Sequence, residues 1–201
     1  MPAEPSLVAA EPLAAFEKRY GETALFLAYA RNRRTQFALR QGATAIGGLI
    51  LWALVSPVAA VVAVCLALLG EGVEIGVLTL AQRRLADGQT MAQVRGWAAA
   101  AALFRAATIA VCVQILLVAA PMTAAEMLAL CFLMAASVNA GFALSHFPVA
   151  AKAKLWIFGL CAAGHLVHGL WYNAGLASDQ VFVVLQMAML AYMAYTFIAY
   201  A

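Results

Sequence analysis

Long apolar runs alternate with short polar seams along this chain, and its basic residues gather in every second seam. Six runs approach the 20 or so residues that a helix rising about 1.5 Å per residue needs to cross about 30 Å of hydrocarbon. They are Gln36–Val55, Pro57–Leu80, Val94–Ala120, Thr123–Leu144, Pro148–Trp171 and Asp179–Ala201. The seams carry helix-start chemistry. Ser56-Pro57 offers an N-cap hydroxyl followed by proline at the first helical position. Thr90-Met-Ala-Gln93 and Thr123-Ala-Ala-Glu126 both read as capping boxes, and Ser178-Asp179 suits the start of the last run. The pattern predicts an all-α polytopic membrane protein, a six-transmembrane-helix bundle over residues 36–201 preceded by a cytoplasmic or interfacial helical segment over residues 1–35.

Composition agrees with a lipid environment. Hydrophobic residues make up 66% of the chain and charged residues 10%, more apolar side chain than a soluble domain of this length can hide. The basic residues then orient the spans. Lys18, Arg19, Arg31, Arg33, Arg34 and Arg40 precede or begin the first span, Arg83, Arg84 and Arg95 flank the second connection, and Lys152 and Lys154 begin the fifth span. The seams near Ser56, Pro121 and Asn173–Ser178 hold no Lys or Arg. With six spans, all the basic seams fall on one side, which predicts a bacterial inner membrane protein with both termini cytoplasmic. The net charge of +3 is accounted for by this asymmetry, without a nucleic-acid partner; the lipid bilayer is the partner expected.

The N-terminal region, with Glu4 and Glu11 and no basic start before a short apolar core, leads us to expect no cleavable signal peptide. Pro12–Arg34 reads as a helical segment with Phe16, Tyr20, Leu27 and Arg31 at roughly helical spacing, interrupted by Gly21. It is expected to lie along the headgroups, its arginines on anionic lipid, or else to pack on the bundle.

Polar residues inside the spans are the candidate chemistry. Glu71 and Glu74 lie three apart on the second span and share a helix face, and Arg105 lies on the third. Glu74 is nine residues before Arg83, about 13 Å, and Arg105 is ten after Arg95, about 15 Å, so a hairpin brings them to matching depth. An unpaired charge there costs several kcal/mol, which pairing reduces. We therefore expect Glu71, Glu74 and Arg105 to form an intramembrane ion-pair centre, either as a structural pin or as a proton- or ligand-responsive site. His165 and His168 share a face of the fifth span, with Asn139, Gln114 and Gln186 on the fourth, third and sixth; these are candidates for a ligand- or proton-responsive polar interior. Cys65, Cys112, Cys131 and Cys161 occur singly on different spans and read as packing residues. No metal-site spacing, catalytic motif or cofactor motif is visible. A haem would need axial ligands from facing helices, and only His146 stands on another span.

Phe142-Ala-Leu-Ser-His146, with the glutamates and histidines above, resembles in part the pattern of intramembrane CAAX-type proteases. Here, however, the glutamates are separated by two residues rather than adjacent, and position 169 is glycine. Closer is an architectural resemblance to the membrane-embedded input regions of bacterial sensor histidine kinases and, less so, diguanylate cyclases. It rests on the short N-terminal helix with Arg31-Asn-Arg-Arg34, six spans with almost no extracytoplasmic mass, and a last span running flush to Tyr200-Ala201. The flush ending suggests a module that continues on the cytoplasmic side. The resemblance implies a sensory or anchoring role, a homodimer and a cytoplasmic kinase as the output. A small proton- or solute-coupled transporter and a structural subunit of a membrane complex are the alternatives.

Overall fold

A computed structural model describes residues 20–119 and 123–172. Among them the protein is all helical: α1 (Glu22–Thr35), α2 (Phe37–Leu54), α3 (Pro57–Ala86), α4 (Met91–Ala119), α5 (Thr123–Phe142) and α6 (Pro148–Tyr172). The helices α2 to α6 coincide with the first five predicted spans to within a few residues, except that α3 runs six residues past Leu80. The sixth span and Ser178-Asp179 lie outside the described residues.

The start and stop signals act as chemistry requires. Ser56 Oγ accepts the Ala59 N–H at 3.1 Å, with Pro57 just inside the helix, so α3 begins sharply. Its end is a Schellman turn: Gly88 has φ +89°, the Gln89 N–H reaches Arg84 O at 3.0 Å and the Gly88 N–H reaches Leu85 O at 3.2 Å. Across the same turn Gln93 Oε1 accepts the Thr90 N–H at 2.9 Å, one arm of the expected capping box.

α3 and α4 form the central antiparallel hairpin. Small side chains let them approach. A Cβ added at Gly70 would stand 2.1 Å from Thr108 Oγ1 and 3.3 Å from Arg105 Cα, so this helix crossing admits only glycine without a shift. α2 packs on α3, α6 on α4 and α5, and α1 against α3. The α1–α2 junction, the α3–α4 turn and the α5–α6 turn gather at one end, joined by Arg95 to Glu22 at 3.2 Å, Arg34 to Gln82 at 3.3 Å and an edge-on Phe26–Phe147 ring pair 5.2 Å apart. We call this the basic end.

Two of the described helices, α3 and α4, are long and apolar enough to cross a membrane. Only 28% and 39% of their most apolar windows are buried inside the protein, unlike the core helix of a water-soluble domain. Large apolar side chains also face outward on α2 (Ile46, Leu49, Trp52) and α6 (Trp156, Leu160, Val167). That surface suits lipid contact, because water would penalise it at about 25 cal/mol per Å².

Inside, the apolar core comes in two pieces. One, around Phe26, Leu78, Val94, Ala98 and Phe147, sits at the basic end. The other, around Leu51, Val113, Leu130, Leu133 and Phe158, fills the opposite half. On α3 and α4 the two pieces are separated by charged residues, Glu71 and Glu74 on one helix and Arg105 on the other, and on α6 Lys154 is buried one turn beyond Ala150.

Candidate functional site

The charged layer is built from the carboxylates outward. The three-residue spacing of Glu71 and Glu74 puts both on the inner face of α3, where Glu74 is fully buried and Glu71 nearly so. Arg105 enters from α4, its Nε bonded to Glu71 Oε2 and 3.3 Å from Glu74 Oε2. The close helix approach at Gly70 makes this reach possible, since Arg105 Cα lies against Gly70 itself. The structure thus brings together the three residues that matching depth had placed as an ion-pair centre.

Four further side chains complete the layer; the sequence reading had counted Lys154, Arg33 and Arg40 with the basic seams and had not singled out Tyr29. Lys154, counted with the basic seam of the fifth span, is buried and donates to Glu74 Oε1 at 2.5 Å and to the Tyr29 hydroxyl at 2.9 Å. Its neighbour Lys152 is exposed, because residues two apart on a helix face nearly opposite ways. Arg33, expected at lipid headgroups, is buried and bonds both Glu74 and, at 3.4 Å, Glu71. Arg40, at the start of α2, sets Nε 2.7 Å and Nη2 2.6 Å from Glu71 Oε1, and Nη2 also caps the Arg33 carbonyl. Tyr29 donates to Glu74 Oε1 at 2.8 Å and stacks obliquely on Phe147. Burial pushes the Tyr29 hydroxyl well above its usual range, so it remains a donor.

The buried face of α1 is therefore Phe26, Tyr29, Ala30 and Arg33. The Tyr20, Leu27 and Arg31 side of the expected stripe faces outward. Of the two placements expected for the N-terminal helix, α1 shows packing on the bundle: an i, i+3, i+4, i+7 set with aromatic rings and a cation to match Glu74 is buried, and the stripe through Tyr20 and Leu27 is not.

Four cations thus surround two carboxylates, a formal excess of two positive charges. Two guanidinium atoms in the layer, Arg33 Nε and Arg40 Nη1, are buried without a hydrogen-bond partner among the described residues. The layer also forms one end of a cleft of about 960 Å³ between α2 and α5, floored by α3 and α4. Its charged end holds Arg33, Arg40, Glu71, Arg105 and Lys154, and the remainder is lined mainly by apolar side chains such as Ile50, Val64, Ile109 and Phe132.

The other candidate residues are dispersed. Asn139 lines the cleft. Gln114 lies toward the opposite end, its amide 3.2 Å from Cys161 O and 3.2 Å from Cys161 Sγ. His165 stands eleven residues beyond Lys154 on α6, about 16 Å away along the helix, so it stands apart from the carboxylates. The His168 side chain and Gln186 lie outside the described residues. Cys112 packs with its thiol on Ala63 O at 3.2 Å. Among the described residues no group of three His, Cys, Asp or Glu side chains is placed to hold a metal ion.

No protein-family model, curated protein or solved structure matches the chain.

Proposed function

We propose that this chain is a membrane-embedded sensory module. It spans the bacterial inner membrane six times with its basic end cytoplasmic, and passes a change in its charged layer to a cytoplasmic signalling partner. The architectural resemblance makes a histidine kinase the class of that partner. The supporting observation is the sharing of two carboxylates among four helices. Glu74 is bonded from α1, α4 and α6 at once, and Glu71 from α1, α2 and α4. A ligand or proton that takes one partner from a carboxylate changes the hold on all the others. The helix most dependent on that hold is α1, whose polar contacts at its inner end are Tyr29 and Arg33. Helix α1 lies outside the spans on the cytoplasmic side, and so converts the change into a movement a partner can read.

Depth supports the same view. Pro57 begins α3 at the far end; Glu71 and Glu74 are then about 21 and 26 Å along a hydrocarbon layer about 30 Å thick. The charged layer sits within about 10 Å of the cytoplasmic boundary, in reach of α1 and of lipid head groups.

The test is autophosphorylation of the cytoplasmic histidine kinase joined to, or captured with, this chain in native membranes. Wild type and Glu74→Gln are compared at equal membrane insertion. A several-fold change in phosphorylation is expected. Equal phosphorylation would reduce the module to an anchor, and absence of any such kinase would remove the proposal. A transporter is the second reading, favoured by a cleft that reaches Glu71, Arg105 and Lys154. Against it, the charged lining among the described residues gathers at one end, and the rest of that cleft is mainly apolar.

A further inference from the structure

The cleft and the charge excess point to a specific occupant. Buried ionic clusters are tolerable when charges balance and every N–H finds an acceptor. This one fails on both counts among the described residues: it holds two more cations than carboxylates, and Arg33 Nε and Arg40 Nη1 lack partners. Both guanidinium groups line the charged end of the cleft, although these two atoms are themselves closed off from it, while Ile50, Val64, Ile109 and Phe132 line the part beyond it. An acidic head would supply the missing charge and, by drawing the guanidinium groups toward the cleft, the acceptors, and an apolar chain would fill the remainder. Inorganic phosphate alone would leave the apolar walls empty, and a zwitterionic phospholipid, though it carries the same phosphodiester, would add its ammonium to a layer already in cationic excess.

We propose that the cleft binds an anionic membrane phospholipid, its phosphodiester on Arg33 and Arg40 and one acyl chain along α2 and α5. This rests on the membrane-embedded reading above and gives the sensory layer its ligand. Because α1 and α2 hold the carboxylates through these same arginines, head-group binding competes with Glu71 for Arg40 and with Glu74 for Arg33. The occupied and empty states therefore differ in how tightly α1 is held.

The test uses the full chain, purified in a neutral detergent and examined by native mass spectrometry with added dioleoylphosphatidylglycerol, dioleoylphosphatidylcholine, oleate or inorganic phosphate. Phosphatidylglycerol should be retained about ten-fold better than phosphatidylcholine, because the choline ammonium meets the cationic excess of the layer. Arg40→Gln should remove that preference and Arg40→Lys should keep part of it. Ala135→Trp, on the exposed cleft wall of α5, leaves every charge in place and should also lower retention if a chain lies there. Equal retention of the two phospholipids, undiminished retention in both Arg40→Gln and Ala135→Trp, or equal competition by oleate or phosphate would overturn the proposal. So would retention of neither lipid, the result if another segment of this chain fills the cleft. None of these outcomes bears on whether Glu74→Gln alters kinase output, so failure here and failure of the sensory role are separable.

Discussion

Replacing Glu74 by glutamine probes the charged layer at its most buried member. The side chain is fully enclosed and accepts from Tyr29 at 2.8 Å, from Lys154 at 2.5 Å and from Arg33, with Arg105 3.3 Å away. Glutamine keeps the shape but removes the charge, so the cationic excess of the layer rises from two to three, and its amide sets N–H groups against guanidinium donors. Breaking one side of a buried ionic network in this way costs about 3–5 kcal/mol. Lys154→Met works in the opposite direction. It removes one of four cations, leaves Glu74 with Arg33 and Tyr29, and lowers the excess to one; the lost charged hydrogen bonds, partly offset by relieved repulsion, cost about 1–2 kcal/mol. The double variant returns to an excess of two and should be about 1–3 kcal/mol more stable than the sum of the single losses implies. Unfolding of the four proteins in a neutral detergent, without anionic lipid, measures the cycle. Lys154→Met costing as much as Glu74→Gln, or additivity within about 0.5 kcal/mol, would refute the charge-excess reasoning.

Gly70→Ala should destabilise by about 1–3 kcal/mol. Rotating Thr108 away still leaves its Cβ 3.1 Å and the Arg105 backbone 3.3 Å from the new methyl. Gly72→Ala, with nothing within 4 Å of its added Cβ, should be neutral or gain up to about 1 kcal/mol from helix propensity; equal effects of the two in a detergent unfolding assay would show that the α3–α4 approach is not tight. A reporter active only in the cytoplasm should work when fused after Gly88 and stay silent near Gly175, and the reverse pattern would invert the topology.

The helical hairpins were legible because apolar length, Ser56-Pro57 and the basic seams act locally. The pairing of Arg105 with both glutamates was legible because depth along a hairpin follows from residue counting. The rest of the layer depends on rotation, not depth. Lys154 and Lys152 are equivalent in a count of basic residues, yet helix phase buries one and exposes the other. The same holds for Arg33 between Arg31 and Arg34. Phe26, Tyr29, Ala30 and Arg33 do form an i, i+3, i+4, i+7 set, a signal that Gly21 and the competing stripe through Tyr20 and Leu27 obscured. His165 lies about three turns beyond Lys154 on α6, and residue type alone carried no information about that separation.

The most direct test of the central claim, that the buried carboxylates hold α1 against the bundle, is a spin-label distance between the exposed positions Thr23 on α1 and Lys152 on α6, in a chain with its four native cysteines replaced. A single narrow distance distribution is predicted for the parent, and a broadened or displaced one for Glu74→Gln with helix content retained. An unchanged distribution in Glu74→Gln would show that α1 is held by Phe26 and Phe147 packing alone, and would contradict the account.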